Sequence, residues 1–334
     1  MFWYISFVLL FKLGKGGGKL AEQKINIREL LFWKRLHYTL VKLDYRFRYL
    51  NNPEKYIKAE YKKVAHDNLE LNLKSPQRLT EKLNWLKLYY KNDKMYHLGD
   101  KYQARKYVAK RIGKKYLVPI YDYCTKSNEL DFNKYPNSFV IKGTHSSGDV
   151  ILCKNKNRLN TNKVKKIIDV WMKNDFYKFS KEPSYLKAVP GVIVEKYLNP
   201  GKYNTPKDYK VFCFNGKPKY IGVYTNRYGS NNRVGEIVYD TEWNIMPFIF
   251  GTVDKFDNSL ERKEEKPEQL EEMLSVSEKL AEGFPFVRVD LYVVENHIYF
   301  GELTFFHLGG YFQCTPYEFD LKLGKELDIS ALKQ

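Results

Sequence analysis

The chain lacks the features that define several large classes of protein. Its four cysteines lie far apart and form no Cys-x-x-Cys pair, so the sequence indicates neither a zinc site nor a disulfide framework, and a reduced compartment is expected. No apolar run is long enough to cross a bilayer. No run of five basic residues and no known nucleic-acid motif is present. These absences argue against a disulfide-rich secreted protein, an integral membrane protein and a nucleic-acid-binding protein.

Positive charge is what the chain has in excess. Lys and Arg outnumber Asp and Glu by 57 to 39, which gives a net charge of +18. Such a surplus attracts an acidic partner: a nucleotide, an anionic membrane face or an acidic glycan. The joint abundance of Lys, Asn, Tyr and Ile can also arise from AT-rich coding, without any binding role. Hydrophobic residues make up 43% of the chain, which is ample for a packed core.

The first residues, Met1 to Phe11, are almost wholly apolar, and a basic, glycine-rich stretch from Lys12 to Lys19 follows. Eleven helical residues cover about 16 Å, roughly half a bilayer core. No basic region precedes the run and no small-residue cleavage site follows it, so it does not read as a signal peptide. Three interpretations stay open: a shallow interfacial anchor, a buried helix, or residues foreign to the native chain. The expected location is cytoplasmic, with peripheral contact at the inner face of the membrane if the anchor interpretation holds.

Hydrophobic periodicity predicts strands mixed with helices and joined mostly by tight turns, which is typical of an α+β fold rather than a doubly wound sheet. Helices are predicted over 20–75, after Ser75-Pro76, over 100–115 with Asp100 as N-cap, over 161–173 and from Pro267. Strands are predicted over 138–142, 149–154 and 191–198, and in two hairpins that turn at Asn215-Gly216 and at Glu295-Asn296.

The second hairpin carries the strongest chemical signal. Strand alternation places Arg288, Asp290 and Tyr292 on one face of its first strand, and Ile298, Phe300, Glu302 and Thr304 on one face of its second strand. Antiparallel pairing then brings Asp290 close to Glu302. Paired carboxylates repel unless a cation lies between them, and Mg²⁺ is commonly held by one or two carboxylates together with nucleotide phosphates. The alternative is a salt bridge between Arg288 and one carboxylate on a solvated face.

Two further segments carry polar groups at strand ends. Lys142 ends a strand and precedes the small-residue loop Gly143-Thr-His-Ser-Ser-Gly148, whose backbone N–H groups could wrap phosphate oxygens, although the P-loop pattern is absent. His145 in this loop is either a base or an exposed bystander. Glu195 interrupts an apolar strand, where it either accepts from an adenine amino group or ribose hydroxyls or pairs with a nearby lysine.

The order of these motifs resembles the ATP-grasp superfamily and, more closely, the TupA-like ATP-grasp family of teichuronopeptide and polysaccharide biosynthesis. The resemblance covers roughly residues 75–328. The motifs that carry it are Leu79-Thr-Glu-Lys-Leu-Asn84, Phe139-Val-Ile-Lys142, Asp208-Tyr-Lys-Val-Phe-Cys-Phe-Asn-Gly216, Arg288-Val-Asp290, Tyr299-Phe-Gly-Glu-Leu-Thr304 and Asp320-Leu-Lys-Leu-Gly324. The resemblance implies an ATP-grasp fold, in which two α+β lobes sandwich ATP, with an N-terminal helical extension.

The resemblance also implies a domain plan. Residues 1–75 would form the apolar segment and helical extension, and 76–131 a helical lead-in to the ATP-grasp region. Residues 132–200 would form the lid subdomain and 201–334 the C-terminal catalytic subdomain.

The site residues that the resemblance implies fall into four groups. Lys101 and Lys142 would hold phosphates of ATP, Ser146, Ser147 and Gly148 would cover them, and Glu195, Lys196, Tyr197 and Leu198 would line the adenine and ribose pocket. Asp290, Glu302 and Thr304 would bind Mg²⁺. Arg288, Lys142, Gly309 and Gly310 would stabilise the reacting oxygens. Asp208, Lys210 and Arg227 would lie on the substrate side.

The implied activity is an ATP-dependent carboxylate–amine ligase that works through an acylphosphate. It would attach an amino acid or small amine to an acidic surface polysaccharide or its precursor. Two departures from the superfamily pattern stand out: Thr304 replaces the usual Asn, and helices replace the usual first domain. A sugar kinase, a glycosyltransferase of polysaccharide biosynthesis and a non-catalytic scaffold remain as alternatives.

Overall fold

The computed structural model describes residues 27–65, 69–201, 206–225, 235–251 and 263–332, and it contains two antiparallel sheets with helices around them. The α-helices are α1 (Ile27–Asp44), α2 (Pro53–Lys62), α3 (Leu79–Tyr89), α4 (Lys101–Arg111), α5 (Thr161–Trp171), α6 (Phe176–Ser180), α7 (Leu270–Ala281) and α8 (Phe319–Glu326). The strands are β1 (Ile120–Cys124), β2 (Phe139–Gly143), β3 (Val150–Cys153), β4 (Val192–Lys196), β5 (Lys207–Phe214), β6 (Lys217–Thr225), β7 (Gly235–Asp240), β8 (Phe286–Val294) and β9 (His297–Thr304).

Single helical turns connect these elements. They are a π turn at Tyr45–Tyr49 and 3₁₀ turns at Met95–His97, Lys114–Tyr116, Ser127–Glu129, Phe132–Lys134, Lys156–Arg158, Pro183–Tyr185, His307–Gly310 and Ser330–Leu332. The predicted α+β class is confirmed.

The N-terminal region is helical but broken. Of the predicted helical range 20–75, residues 20–26 and 66–68 lie outside the described residues, and 69–75 are not helical. A new helix begins after the π turn, because Asn52 caps it by accepting a hydrogen bond from the Lys55 N–H, and Pro53 starts it without an N–H of its own. The apolar run Met1–Phe11 lies outside the described residues. Within the described ranges, no helix combines the length and apolar character needed to cross a membrane.

The smaller sheet forms the first lobe, with strand order β1-β4-β2-β3. Its inner face packs on α5, where Ile168 and Trp171 meet Phe139, Ile141 and Val194 in one buried cluster. The apolar face predicted for the helix over 161–173 is therefore the face that covers the sheet. The sheet begins at β1, upstream of residue 132, where the sequence places the start of the lid subdomain.

The larger sheet forms the second lobe, with strand order β7-β6-β5-β8-β9. Both predicted hairpins are present: the turn residues Asn215, Gly216, Glu295 and Asn296 all have positive φ, as two-residue hairpin turns require. One face of this sheet packs on α7 in the main hydrophobic core. The other face carries the polar residues described below.

A β-bulge in the closing hairpin decides which way its polar residues point. Leu291 pairs with Phe300, but the next position, Asp290, pairs with Glu302, so Gly301 is the extra residue. Strict alternation along the second strand would put Glu302 on the same face as Phe300, which is buried beside Leu291 in the core. The prediction that Glu302 shares a face with Phe300 is therefore wrong, because the bulge turns Glu302 to the opposite face.

Candidate active site

The polar face of the larger sheet holds four buried charges in direct contact. Arg288 donates from Nε and Nη2 to the two carboxylate oxygens of Asp290, at 2.6 and 2.7 Å. Lys210, the cross-strand partner of Asp290, lies 2.6 Å from Asp290 Oδ2 and 2.8 Å from Asp208 Oδ2. Burial by itself raises the pKa of Asp290, but Arg288 and Lys210 outweigh it and hold that pKa well below its usual range.

Glu302 and Thr304 complete this face. The Glu302 side chain keeps 30% of its accessible surface, and its Oε1 lies 3.6 Å from Arg288 Nη2. The same guanidinium nitrogen donates to the Thr304 hydroxyl at 3.1 Å. Thr304 therefore orients the arginine. Since Asp208 and Asp290 are buried, Glu302 is the accessible carboxylate of this face.

The donor set suits one kind of cation site. Within the described ranges, no group of three or more His, Cys, Asp or Glu side chains is arranged to hold a metal ion. Asp290 and Glu302 nevertheless stand opposite each other on neighbouring strands, and a carboxylate that accepts two hydrogen bonds retains further lone pairs. Mg²⁺ bound through one or two carboxylates plus substrate phosphates needs no larger protein cage. The residues fit such a shared site and do not fit an all-protein one.

Lysines stand at the end of β2 in the smaller lobe and at the start of α4, a helix whose Ala104 and Val108 pack in the main core of the larger sheet. Lys142 Nζ lies 2.6 Å from Glu195 Oε2, and Arg105 lies 3.7 Å from the other oxygen of the same carboxylate. Lys101 donates from Nζ to the Ser146 carbonyl. Burial lowers the pKa of Lys101, and the charge that most opposes this shift is that of Glu302 in β9. Lys101 therefore lies within electrostatic range of Glu302.

The loop after β2 is only partly free to cover a ligand. Ser146 is buried and its hydroxyl donates to Asp149 at 2.6 Å, so this side chain holds the loop together. Ser147 and Gly148 lie exposed at the tip, where Gly148 has a φ of 84°. The predicted covering role fits Ser147 and Gly148 better than the hydroxyl of Ser146.

His145 is neither a free base nor an exposed side chain. It is buried, its Nε2 lies 2.9 Å from the Trp171 carbonyl, and its Nδ1 accepts from the Gly191 N–H at 3.3 Å. Both ring nitrogens are thus used to tie the loop to α5 and to the start of β4. The prediction of an exposed histidine is therefore wrong. Both ring nitrogens form hydrogen bonds, so neither is free to act as a base.

The segment after β4 leads towards the second lobe. Glu195 is buried, whereas Lys196 is exposed and Tyr197 and Leu198 are half-buried. The Lys196 N–H donates to the Pro119 carbonyl at 2.8 Å. Of the four residues, Glu195 contacts Lys142.

The turn containing Gly309 and Gly310 is predicted to offer N–H groups to the reacting oxygens. Both glycines have positive φ, and the Gly309 N–H donates to the Phe306 carbonyl rather than pointing to a ligand. The carbonyls of the two glycines accept from Lys87 and Asn84 of α3. The turn is thus anchored through its carbonyls, and the Gly309 N–H is already occupied.

Several site residues were missed by sequence reasoning. Lys87 is buried, lies 4.0 Å from the centre of the Tyr311 ring, and stands on α3 three residues beyond the quoted motif Leu79–Asn84. Glu182 lies near the Gly309 turn: its Oε1 is 3.8 Å from the position that a Cβ on Gly309 would occupy. Among the described residues, no hydrogen bond or ion pair reaches the Glu182 carboxylate. No local pattern marks either residue, since each is brought in by tertiary packing.

Two more buried groups support the charged face. His307 Nδ1 lies 2.7 Å from Arg288 Nη1, and Glu236 accepts a hydrogen bond from the Tyr224 hydroxyl. The polar residues that interrupt apolar β5, Asp208 and Lys210, were placed on the substrate side by sequence. The structure puts Lys210 at the centre of the charged cluster. Arg227 lies outside the described residues.

Two α+β lobes, with Lys142 on the smaller, an Arg-Asp-Glu cluster on the larger and Lys101 on a helix that contacts both, are typical of ATP-grasp proteins. The family model described as TupA-like ATPgrasp matches residues 81–328. The chain belongs to this family, which confirms the resemblance drawn from the motifs. No curated protein matches the chain.

Solved structures similar to the chain are ATP-grasp ligases. A D-alanine–D-alanine ligase from Bacillus anthracis shares 18% identity, with a TM-score of 0.36, over 62% of this chain and 56% of that one. The corresponding enzyme from Helicobacter pylori shares 17% identity, with a TM-score of 0.37, over 69% and 61%. The ATP-grasp ligase PsnB shares 10% identity, with a TM-score of 0.36, over 68% and 57%. The chain thus spans 56 to 61% of the length of these proteins.

Proposed function

We propose that the protein is an ATP-dependent ligase that joins a carboxylate to an amine through an acylphosphate. The observation that carries the proposal is the buried cluster of Arg288, Asp290 and Lys210 beside the partly exposed Glu302. Lys101, which donates to the carbonyl of Ser146 in the loop after β2, lies within electrostatic range of this Glu302. Phosphoryl transfer needs positioning and charge neutralisation more than covalent help from the protein. Lysines, an arginine and carboxylates gathered in one region supply both.

Lys101 and Lys142 would bind phosphates of ATP, and Ser147 and Gly148 would cover them. Glu195 to Leu198 would line the base and ribose. Asp290 and Glu302 would hold Mg²⁺, which supplies charge neutralisation on the transferring phosphoryl group when bound. Thr304 is assigned to Arg288 rather than to the cation, because its hydroxyl already accepts from that guanidinium.

Arg288 and Lys210 would stabilise the acylphosphate and the tetrahedral intermediate. Both cations are buried and held in place by Asp290, so they are oriented before the reaction begins. Preorganised charge in a water-poor site stabilises a developing oxyanion more than the same charge in water. The carboxylate substrate would lie beside them, near Asp208.

Glu182 would serve the amine. Burial raises its pKa to about 7, with Lys87 opposing and Glu302 adding to the shift, and a base of this pKa suits neutral pH. The arriving ammonium would give one proton to Glu182, and its nitrogen would then form the C–N bond at the acyl carbon. The second proton would leave with the phosphate as the C–O bond breaks.

The acceptor is proposed to be an acidic surface polysaccharide or its precursor, and the amine an amino acid or small amine. The net charge of +18 supports an acidic acceptor. We place the reaction in the cytoplasm, where ATP is available. The four buried, unpaired cysteines fit that compartment.

Calorimetric titration with Mg–ATP tests the nucleotide site. Lys142→Ala is expected to weaken binding roughly tenfold or more, because it removes a charge-assisted phosphate contact. Lys166→Ala, on the exposed side of α5, is the matched control and should bind like wild type. Equal affinity of all three proteins would overturn the site assignment.

Product analysis tests the chemistry. With uronic-acid-containing glycans and a panel of amino acids, the proposal expects an amide product with ADP and free phosphate in equal amounts. A phosphorylated sugar with ADP alone would instead establish a kinase. Sugar transfer from a sugar nucleotide without ATP would establish a glycosyltransferase.

A further inference from the structure

Helix α1 and the π turn after it expose an unusual concentration of apolar side chains. Of the fifteen large apolar side chains that the described part of the chain exposes, seven lie between residues 32 and 50. Their exposed fractions are 60% for Phe32, 53% for Trp33, 37% for Leu36, 45% for Leu40, 46% for Leu43, 61% for Phe47 and 55% for Leu50. Scattered exposed apolar residues are ordinary, but a contiguous group marks an interaction surface.

Six of these residues form one line along the helix, which we name the apolar stripe: Trp33, Leu36, Leu40, Leu43, Phe47 and Leu50. Their spacings alternate between three and four residues, which keeps them on one side of a helix. At about 1.5 Å per residue the stripe is roughly 25 Å long.

Basic residues border the stripe on one side. Arg35, Lys42 and Arg46 are all exposed, and each precedes a stripe residue by one position. Asp44, the single acidic residue between 32 and 50, faces away: it accepts from Arg48 and Tyr56 and lies 3.6 Å from Lys181. The outward surface therefore combines apolar and cationic groups without an exposed acid.

The opposite side of α1 is already occupied by the first lobe. His37 packs on Phe179, with ring centres 5.7 Å apart, and Lys34 lies 3.7 Å from Asp149 in the loop after β2. Tyr45 of the π turn contacts Tyr177. The helix is thus fixed by one side, and the apolar stripe is left on the other.

We propose that the apolar stripe and its basic border form an interfacial surface that binds an anionic lipid membrane. This inference does not depend on the proposed ligase activity. An interfacial helix places Trp, Phe and Leu into the boundary between headgroups and acyl chains, with Lys and Arg at the anionic headgroups. The stripe and its border match that distribution.

Two other occupants fit less well. In a pair of chains joined through the stripe, the basic flank with Arg35, Lys42 and Arg46 would find no acidic flank on the other copy. The second flank of the helix offers no acid, because His37 and Asp44 are engaged with the first lobe. Cover by the chain's own Met1–Phe11 would fill the apolar stripe but would leave the basic border without a counter-charge. An anionic surface satisfies both parts.

Co-sedimentation with lipid vesicles tests the proposal on the full chain. We expect binding to vesicles of phosphatidylcholine with 30% phosphatidylglycerol, weaker binding to phosphatidylcholine alone, and loss of binding at high salt. Replacing the stripe by L36Q, L40Q and L43Q together should reduce partitioning at least tenfold, since each lost leucine removes roughly a tenfold factor. Replacing the border by R35Q, K42Q and R46Q should also reduce it at least tenfold, at about fivefold per cation.

Matched controls lie on other surfaces. L152Q and L321Q remove apolar residues of similar exposure, and K134Q, K217Q and K219Q together remove the same number of cations from elsewhere. Both control proteins should bind vesicles like wild type. An equal loss of vesicle binding in the cation control and the border variant would show that net charge alone drives binding. That result would overturn the proposal of a specific surface.

Two further outcomes would overturn the membrane proposal and identify another occupant of the stripe. In the first, wild type fails to bind vesicles and scatters light as a dimer, while the stripe variant scatters as a monomer. That result would establish a second copy of the chain as the partner. No vesicle binding by a monomer whose stripe variant melts at a lower temperature would establish cover by the chain's own N-terminal segment.

Discussion

At the scale of single residues, Asp290 balances the charges of the site. It accepts from Arg288 and Lys210, and Lys210 also contacts Asp208, so two cations and two anions are buried together. Buried charges are tolerated when each has a partner, and removing one partner leaves an uncompensated charge in a low-dielectric site. Asp290 therefore supports the folded structure as well as any bound cation.

This balance predicts different results for the two carboxylates. Asp290→Asn should lower the free energy of unfolding by roughly 3 to 5 kcal/mol, because it removes the carboxylate that Arg288 and Lys210 share and leaves an excess positive charge buried. Glu302→Gln should change it by less than about 1 kcal/mol, since Glu302 is partly exposed and 3.6 Å from its nearest cation. Urea titration of both variants measures this, and equal destabilisation would contradict the arrangement.

Glu302→Gln is consequently the cleaner test of the metal. Its effect should appear in the Mg²⁺ dependence of ATP binding, with the Mg²⁺ concentration at half-saturation raised roughly tenfold or more. Thr304→Val, which removes only a hydroxyl that already accepts from Arg288, should shift it much less. A larger effect from Thr304→Val than from Glu302→Gln would reverse these two assignments.

Glu236 gives a prediction for pH. It is buried under the Tyr224 hydroxyl, and burial raises its pKa to about 7 from an ordinary value of 4.5. Between these two values the folded protein keeps a proton that the unfolded chain has released, so stability falls as pH rises through this window. The loss is on the order of 3 kcal/mol.

Glu236→Gln should remove that dependence. Denaturant unfolding at pH 4.5 and pH 7 should therefore show a smaller drop for this variant than for wild type. Glu278→Gln, at an exposed position, should keep the wild-type drop. An unchanged drop in Glu236→Gln would show that other groups produce it.

At the scale of elements, two of the quoted motifs are explained by helix docking. Asp320 of α8 accepts from the N–H of Thr80 at 2.9 Å and from its hydroxyl at 2.6 Å. Lys82 donates to the carbonyls of Gly324 and Leu327 at 2.7 and 2.6 Å. Motifs that stand about 240 positions apart in the chain thus form one contact, which fixes α3 beside the second lobe.

Gly324 is where these helices approach most closely. A Cβ added there would lie 2.0 Å from the Gln77 carbonyl oxygen, so the backbone itself would have to move. Gly324→Ala should lower the free energy of unfolding by about 3 kcal/mol. Leu321→Ala, one turn earlier and exposed, is the control and should stay within about 0.5 kcal/mol. A wild-type melting curve for Gly324→Ala would refute the close approach.

At the scale of the whole molecule, the two lobes have separate hydrophobic cores. The candidate site combines Lys142 from the smaller lobe, Arg288, Asp290 and Glu302 from the larger lobe, and Lys101 from α4, which contacts both. A ligand that binds both walls stabilises the folded state by mass action.

Mg–ATP should therefore protect both lobes at once. At about 100 times the dissociation constant it should add roughly 2.7 kcal/mol of stability, seen as a higher melting temperature. Hydrogen exchange should slow in the loop after β2 and in β8 together. Slowing in one lobe only would show that the nucleotide does not bridge them, and Lys142→Ala should show both effects to a smaller extent at the same Mg–ATP concentration.

The features that the sequence determined by itself are local ones. The turns at Asn215-Gly216 and Glu295-Asn296, the Asp100 cap and the buried face of α5 follow from residues within one turn of each other. The order of Lys101, Lys142, Arg288, Asp290 and Glu302 along the chain was enough to indicate the family. Chain order and local propensity act before any long-range contact forms.

Tertiary structure alone decided which groups meet. The bulge at Gly301 turned Glu302 to the face of Asp290, and strand pairing placed Lys210 in the charged cluster rather than at its edge. Packing brought Lys87 and Glu182 to the Gly309 turn and left the outward side of α1 uncovered. These outcomes depend on register and on contacts between distant segments, where a shift of one residue reverses the direction of a side chain.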